Sequence, residues 1–256
     1  MIHPQAIIEP GAVIGENVTI GPWTYIASNV VIGDNCNISS HVVINGPTTL
    51  GKGNRIFQFA SIGEDCQDLK YDGELTELII GDNNIFRESC TIHRGTVQDN
   101  SLTQIGSNNL FMAYTHVAHD CMVGSHCIMA NNASIAGHVH VGDYVIIGGM
   151  SGVHQFCHIG QHSFIAANAL VLKDVPAYVM ASGQPVKPFG LNSEGLKRRG
   201  FDKNVILSIK RAYKALYRKG LSVEEALAHI DDQIEQSPEL AAFTDSVKAS
   251  TRGIIR

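Results

Sequence analysis

Residues 115–126 read THVAHDCMVGSH, which places His116, His119, Asp120 and His126 within twelve positions. Imidazoles and a carboxylate at this density have three readings: ligands of a metal ion, a general base with an orienting acid, or polar turn residues of a repeat. Histidine loses its proton near pH 6.5, so it can accept one at neutral pH, and a carboxylate on its other ring nitrogen would fix the tautomer. Which reading holds depends on which of these residues share a neighbourhood, and so on the elements that carry them.

Those elements follow a ruler. From Ala6 the chain divides into hexads, AIIEPG AVIGEN VTIGPW TYIASN VVIGDN, and the third residue of each is Ile or Leu from Ile8 to Ile62. The frame returns at Ile80, Phe86 and Ile92, slips, and then runs from Ile105 to Val171. The first residue of each hexad is small, and Cys36, Cys90, Cys121, Cys127 and Cys157 all take that slot. Positions one and three of a strand point to the same side, so these residues face inward. Gly recurs at eighteen-residue intervals, at Gly15, Gly33 and Gly51 and again at Gly106, Gly124, Gly142 and Gly160. Three six-residue strands therefore make one coil of a triangular prism, with residues i and i+18 stacked about 4.8 Å apart. Nine or ten coils between His3 and Met180 would give a parallel β-helix about 45 Å tall. Its hand does not follow, because parallel crossovers in general are right-handed.

Two segments break the pattern. CQDLKYDGELTE at 66–77 keeps the frame but puts Asp68 and Glu74 where aliphatic residues belong, and TVQDNSL at 96–102 shifts the frame by one. Both must leave the column as loops, either to build function or to pack against another subunit. Beyond Val179 the hexads stop. Asp202 can cap a helix running to about Lys219, SVEE at 222–225 is a capping box, and Ser237 with Pro238 can start a third helix. The expected fold class is therefore β with a C-terminal α domain, a helix of hexapeptide repeats over 1–185 and a small helical domain over 190–256.

The composition agrees: 44% hydrophobic residues, 17% charged and 25 Gly in 256 residues describe turn-rich β structure with a substantial core. No apolar run is long enough to span a membrane and MIHPQAIIEP lacks the form of a signal peptide, so the expected location is cytoplasmic. Six scattered Cys without a CxxC pair read as reduced thiols. A net charge of −5 argues against a nucleic-acid binder, yet ten of the nineteen Lys and Arg fall between Lys187 and Lys219. That cluster fits a phosphorylated ligand, an acidic partner or a solvated helix face.

The eighteen-residue interval sorts the histidines. His119 stacks with Gly137 and Gln155, Asp120 with His138, and His154 adjoins Gln155, so one corner gathers these residues with His116 on the strand entering it. His126 falls at another corner, as a surface residue. His140 and His158 also stack, outward and mid-strand, as a solvated ladder with no obvious carboxylate beside them. Zinc-binding β-helical carbonic anhydrases use a histidine pair five residues apart, a spacing absent here, so no metal is expected. A His119 base beside a Gly137 N–H able to face an oxyanion, with no Ser or Cys nucleophile, points instead to acyl transfer by direct attack of a substrate hydroxyl or amine.

The hexads resemble those of the bacterial hexapeptide acyltransferases, which implies a left-handed parallel β-helix. QDLKY at 67–71, TIHRGT at 91–96, HVAHDCMVG at 116–124, SIAGH at 134–138, GGMSGVHQF at 148–156, PFGLNSEGLKRRGF at 188–201 and the C-terminal STRGIIR together resemble the UDP-N-acetylglucosamine O-acyltransferase family, the first enzymes of lipid A biosynthesis. The resemblance implies His119 as the base on the 3-hydroxyl of the sugar, Asp68 orienting His119, and Gly137 N–H stabilising the oxyanion. It implies Gln67, Lys70, His116, His138, His154 and Gln155 as contacts to sugar, pyrophosphate or acyl hydroxyl, and Asn192, Glu194, Arg198 and Arg199 as contacts to the uridine nucleotide. The eighteen-residue interval places candidates for limiting an acyl chain at Phe164 to Asn168, and the resemblance implies Ala167 among them as the chain-length ruler, an (R)-3-hydroxyacyl carrier protein as donor with no further cofactor, and a homotrimer with sites between columns. The related N-acyltransferase usually carries a uridine-binding domain ahead of its β-helix, whereas here the hexads start near Met1. A coenzyme A-dependent acetyltransferase would not account for QDLKY and NSEGLKRRG, nor a scaffold protein for the His119 corner.

Overall fold

The structure, a computed structural model, describes residues 1–232 and 237–256. The hexads form a parallel β-helix whose short strands line up in three sheets of nine, eight and ten strands. Vertical register follows the predicted interval: His116 pairs with Ser134, Ser134 with Gly152 and Gly152 with Leu170. The first sheet contains these strands, the second contains Met122–Val123, His140–Val141 and His158–Ile159, and the third contains Ile128–Met129, Ile146–Ile147 and Phe164–Ile165.

Inside the prism the third-position aliphatics form a continuous column, with Ile26, Ile62, Ile92, Val117, Ile135 and Val171 fully buried. Each such side chain contributes about 1.5–3 kcal/mol through removal from water. All five hexad cysteines are buried, and so is Cys66; none forms a disulfide. The small slot also holds Asn54, Asn84 and Asn109. These polar side chains are tolerated because each amide oxygen accepts a backbone N–H from the next coil, ending at Cys127 N–H.

Corners recur every six residues, and most place one residue in the left-handed region. Asp120, His138 and Phe156 take it at the corner joining the first sheet to the second, and His126, Tyr144, His162 and Tyr178 at the corner joining the second to the third. A third set, Trp23, His41, Phe59, Tyr114 and Met150, lies at the remaining corner.

Both predicted insertions leave the column at the first-to-second corner. Ile62 pairs with Ile92, twelve residues beyond one coil, and Ile80 with Ile105, seven beyond. The first loop joins Ser61–Glu64 to Glu77–Ile80 and the second joins Thr91–His93 to Leu102–Ile105. Buried Arg94 pins the first loop through Gly63 O, the Asp65 carboxylate and the Tyr71 hydroxyl.

The antiparallel pair Val179–Gly183 and Val186–Leu191 closes the third sheet. Helices α1 (Ser193–Arg198), α2 (Lys203–Arg218), α3 (Val223–Asp231) and α4 (Leu240–Lys248) follow. Asp202 caps α2 and Ser222 makes the capping box of α3, both as their side-chain chemistry dictates. Two details differ from the sequence reading. Asn192 caps the unexpected α1, and α4 begins after a turn, with Glu239 rather than Ser237 at its N-cap.

Candidate active site

One coil beyond the two insertions, the first-to-second corner is residues 118–121. Asp120 adopts φ 57°, which folds its carboxylate back on its neighbour and puts Oδ2 2.8 Å from His119 Nδ1. Thr96, at the start of the second loop, donates its backbone N–H to Asp120 Oδ1 at 2.8 Å and its hydroxyl to Oδ2 at 2.6 Å. Burial pushes this carboxyl up, but the bonds from His119 and Thr96 outweigh it and hold Asp120 below its ordinary value. An ionised acceptor on Nδ1 keeps the imidazole proton there and leaves Nε2 with a lone pair.

Gly137 lies against that lone pair. A Cβ at this position would stand 2.5 Å from His119 Cε1 and 2.6 Å from Nε2, so only glycine fits beneath the ring. Its backbone N–H has no acceptor among the described residues.

The carboxylate on His119 is not the one the resemblance implied. Asp68 lines the cavity beside His119, but its Oδ1 accepts the Lys70 backbone N–H at 3.0 Å. Asp120 takes the Nδ1 position because it is adjacent in the chain and held by three bonds, whereas Asp68 rides on a twelve-residue excursion.

His138, directly below Asp120 in the ladder, is bracketed by acids. Its Nδ1 is 3.0 Å from Asp99 Oδ2 of the second loop, and its Nε2 is 3.9 Å from Asp120 Oδ2. The ring stacks on Phe156 and meets His119 edge-on. His119, Asp120 and His138 thus bring donor atoms within 4.8 Å of one another, a proximity that histidine spacing alone could not show. Thr96 and His119 already engage Asp120 Oδ2, so a hydrogen-bonded dyad beside a second histidine accounts for the grouping.

His119 stands on the divide between two cavities. The one of about 510 Å³ runs along the first sheet over Ala118, Ile135, Ala136, Val153 and Leu170, with Gln67, His116 and His154 also on its wall. The other, of about 430 Å³, is polar and lined by Lys70, Gln98, Asp99 and His138. Asp68, His119 and Gln155 border both. His116 is held by Thr91 Oγ1 at 2.7 Å, and burial lowers its pKa. At the rim His154 Nδ1 lies 3.5 Å from Arg252 Nη2, so the C-terminal segment reaches the site.

Sequence reasoning did not single out His93, Thr96 or Asp99. His93 is buried on the wall of the larger cavity, edge-on to His116, and burial pulls its pKa down to about 4. TIHRGT contains it, but the seven-residue insertion makes Thr91 pair with His116 across twenty-five positions, so the eighteen-residue interval could not place it. Phe164 and Ala167 line neither cavity; Leu170 occupies the far end instead.

The four residues expected at the nucleotide lie elsewhere on this chain. Asn192 is buried as the cap of α1 and donates to His162 O at 2.9 Å. Arg199 donates to Tyr144 O at 3.0 Å and covers the Tyr144 ring, so α1 sits on the second-to-third corner. Glu194 and Arg198 are exposed there, Glu194 paired with Lys197 at 2.7 Å.

The parallel β-helix of hexads places the chain among the hexapeptide-repeat transferases, whose profile matches residues 1–28, 11–46 and 102–137. The column is left-handed, as the resemblance implied. A profile described as UDP-N-acetylglucosamine O-acyltransferase, domain 2, matches residues 174–255. The chain is 55% identical to an acyl-[acyl-carrier-protein]–UDP-N-acetylglucosamine O-acyltransferase of Stutzerimonas stutzeri over 100% of this chain and 99% of that protein. The solved LpxA of Acinetobacter baumannii superposes with a TM-score of 0.97 at 54% identity, covering 100% of this chain and 99% of that one. The Francisella novicida UDP-N-acetylglucosamine acyltransferase gives 0.98 at 47%, covering 100% and 94%. The chain belongs to the UDP-N-acetylglucosamine O-acyltransferase family.

Proposed function

We propose that the protein transfers an (R)-3-hydroxyacyl chain from acyl carrier protein to the 3-hydroxyl of UDP-N-acetylglucosamine, with His119 as general base, in the first step of lipid A biosynthesis. The observation that carries this reading is the His119–Asp120 dyad packed against Gly137 on the divide between an apolar and a polar cavity. His119 Nε2 takes the hydroxyl proton while the sugar oxygen attacks the thioester carbonyl. Gly137 N–H receives the developing oxyanion. Collapse expels the phosphopantetheine thiolate, which regains the proton from His119. The donor brings its own activated acyl group, so the steps need no further cofactor. Sugar and pyrophosphate fit the polar side, with Lys70 and His138, and the acyl chain fits the apolar side toward Leu170. Ala167, at the next corner, limits chain length only if a neighbouring column continues the trough.

A homotrimer supplies that neighbour. In a single chain Trp23, Phe59, Tyr114 and Met150 are 56%, 61%, 63% and 70% exposed along one corner, an apolar edge suited to burial between copies. Association would also bring the α1 corner of one column, with Arg198 and Arg199, to the His119 corner of the next. The acidic carrier protein fits the basic residues of α1 and α2. No helix among the described residues is long and apolar enough to cross a membrane, in keeping with a cytoplasmic site for the reaction.

The test is an assay with UDP-N-acetylglucosamine and (R)-3-hydroxyacyl carrier proteins of several chain lengths. Acylated UDP-sugar is expected, and His119→Ala lowers kcat/KM by at least about a hundredfold with the oligomer unchanged. Near-wild-type turnover in that variant would remove His119 from the base role.

A further inference from the structure

The second sheet carries a histidine pair that the acyl transfer does not use. His140 and His158 are in register on adjacent parallel strands, their ring centroids 4.7 Å apart and their planes at 69°. They border a cavity of about 530 Å³ between this sheet and α4, with Gln104 and Asp245 also on its wall. No hydrogen bond reaches either ring among the described residues. His158 Nδ1 is buried and lies 3.9 Å from the Asp174 carboxylate, which the solvated-ladder expectation overlooked because Asp174 comes from the turn beyond Val171.

Two imidazoles bound to one metal through nitrogens about 2.1 Å away place their ring centroids about 4.5–5 Å apart. The two rings, carried on paired strands, already stand at this separation. The Asp174 carboxylate beside Nδ1 leaves Nε2 of His158 for a ligand, the order of acid, imidazole and metal that fixes a ligating histidine. We infer that His140 and His158 form a two-imidazole site for a divalent transition metal, with Asp174 as the outer carboxylate and water completing the coordination. Paired imidazoles select copper, nickel or zinc over magnesium and calcium.

The site would join two successive coils where the chain's end is fastened. Asp174 accepts the Ser250 hydroxyl at 2.6 Å, and its backbone bonds to Gly253 and Ile255. Metal there raises the melting temperature and leaves turnover unchanged, whereas metal at His119, Asp120 and His138 would inhibit.

Metal-free full-length protein titrated with Cu²⁺ alone, followed by electron paramagnetic resonance and calorimetry, tests this. The expected result is one tight ion per chain with two imidazole nitrogens coupled to it. His140→Ala and His158→Ala each weaken binding by more than the roughly tenfold typical of losing an outer-shell partner. The double variant loses the two-nitrogen signal while its acyl transfer in metal-free buffer matches wild type. A two-nitrogen signal that survives in the double variant, or titrations that coincide with wild type, would overturn the inference.

Discussion

Two corners of the prism are built alike and used differently. Asp120, His138 and Phe156 stack along one, and His126, Tyr144, His162 and Tyr178 along the other, all in the same left-handed backbone conformation. At the first, two inserted loops leave the column, and the second of them returns a threonine and an aspartate to brace Asp120 and His138 beside open cavities. At the second, α1 closes over the ladder: His162 is buried between Tyr144 and Tyr178, and burial with the nearby Arg199 pulls its pKa down to about 4. The repeat supplies positions, and the segments that interrupt or follow it decide whether a histidine at such a position meets substrate or fills a core.

The sharpest way to break that contrast is to remove the bracing acid. Asp120→Asn should cost about 10²–10³ in kcat and distort the pH–rate profile, because an amide no longer holds the imidazolium formed during transfer. Asp68→Asn should cost far less; parallel kinetics of the two variants check this, and the reverse order would return Asp68 to the orienting role. At the buried corner the readout is stability. The unfolded chain binds a proton on His162 near pH 6.5 and the folded chain only near pH 4, so this residue's contribution is present above pH 6.5 and lost as pH falls. Melting at pH 7 and pH 5 should show a loss of about 2 kcal/mol from this group, absent in His162→Gln. Asp99→Asn frees His138 on one side only, and the expected effect is about tenfold in kcat/KM, read mainly in the KM for the UDP-sugar. The smallest effect belongs to His126→Ala, exposed at the end of the aromatic ladder, which should change neither turnover nor stability by more than about 0.5 kcal/mol.

Much of this architecture is legible in the hexads, because a side chain that must face inward every sixth residue leaves an unmistakable trace. The interval of eighteen correctly stacks Asp120 with His138 and pairs His140 with His158. It fails wherever chain is inserted. His93 stands beside His116 only after the second loop is discounted, and Thr96 and Asp99 reach the dyad by the path of that loop, which no periodicity describes. The αL turn at Asp120 is likewise invisible in the pattern, and the resemblance points to Asp68 of the first loop instead of the carboxylate one residue from His119. Asn192 shows the converse: a residue picked out by its motif turns out to hold α1 in place through both ends of its amide.

Under the proposed function the two corners are halves of one site that meet between copies. Mixed oligomers of His119→Ala chains and Glu194→Ala/Arg198→Ala chains, assayed at UDP-sugar well below KM, test it most directly. Random assembly places an intact His119 corner against an intact α1 corner at about a quarter of the interfaces, so the mixture should recover about a quarter of wild-type kcat/KM although each parent alone is impaired. A mixture no more active than the average of its parents would mean that each chain carries its whole site and that no site forms between copies.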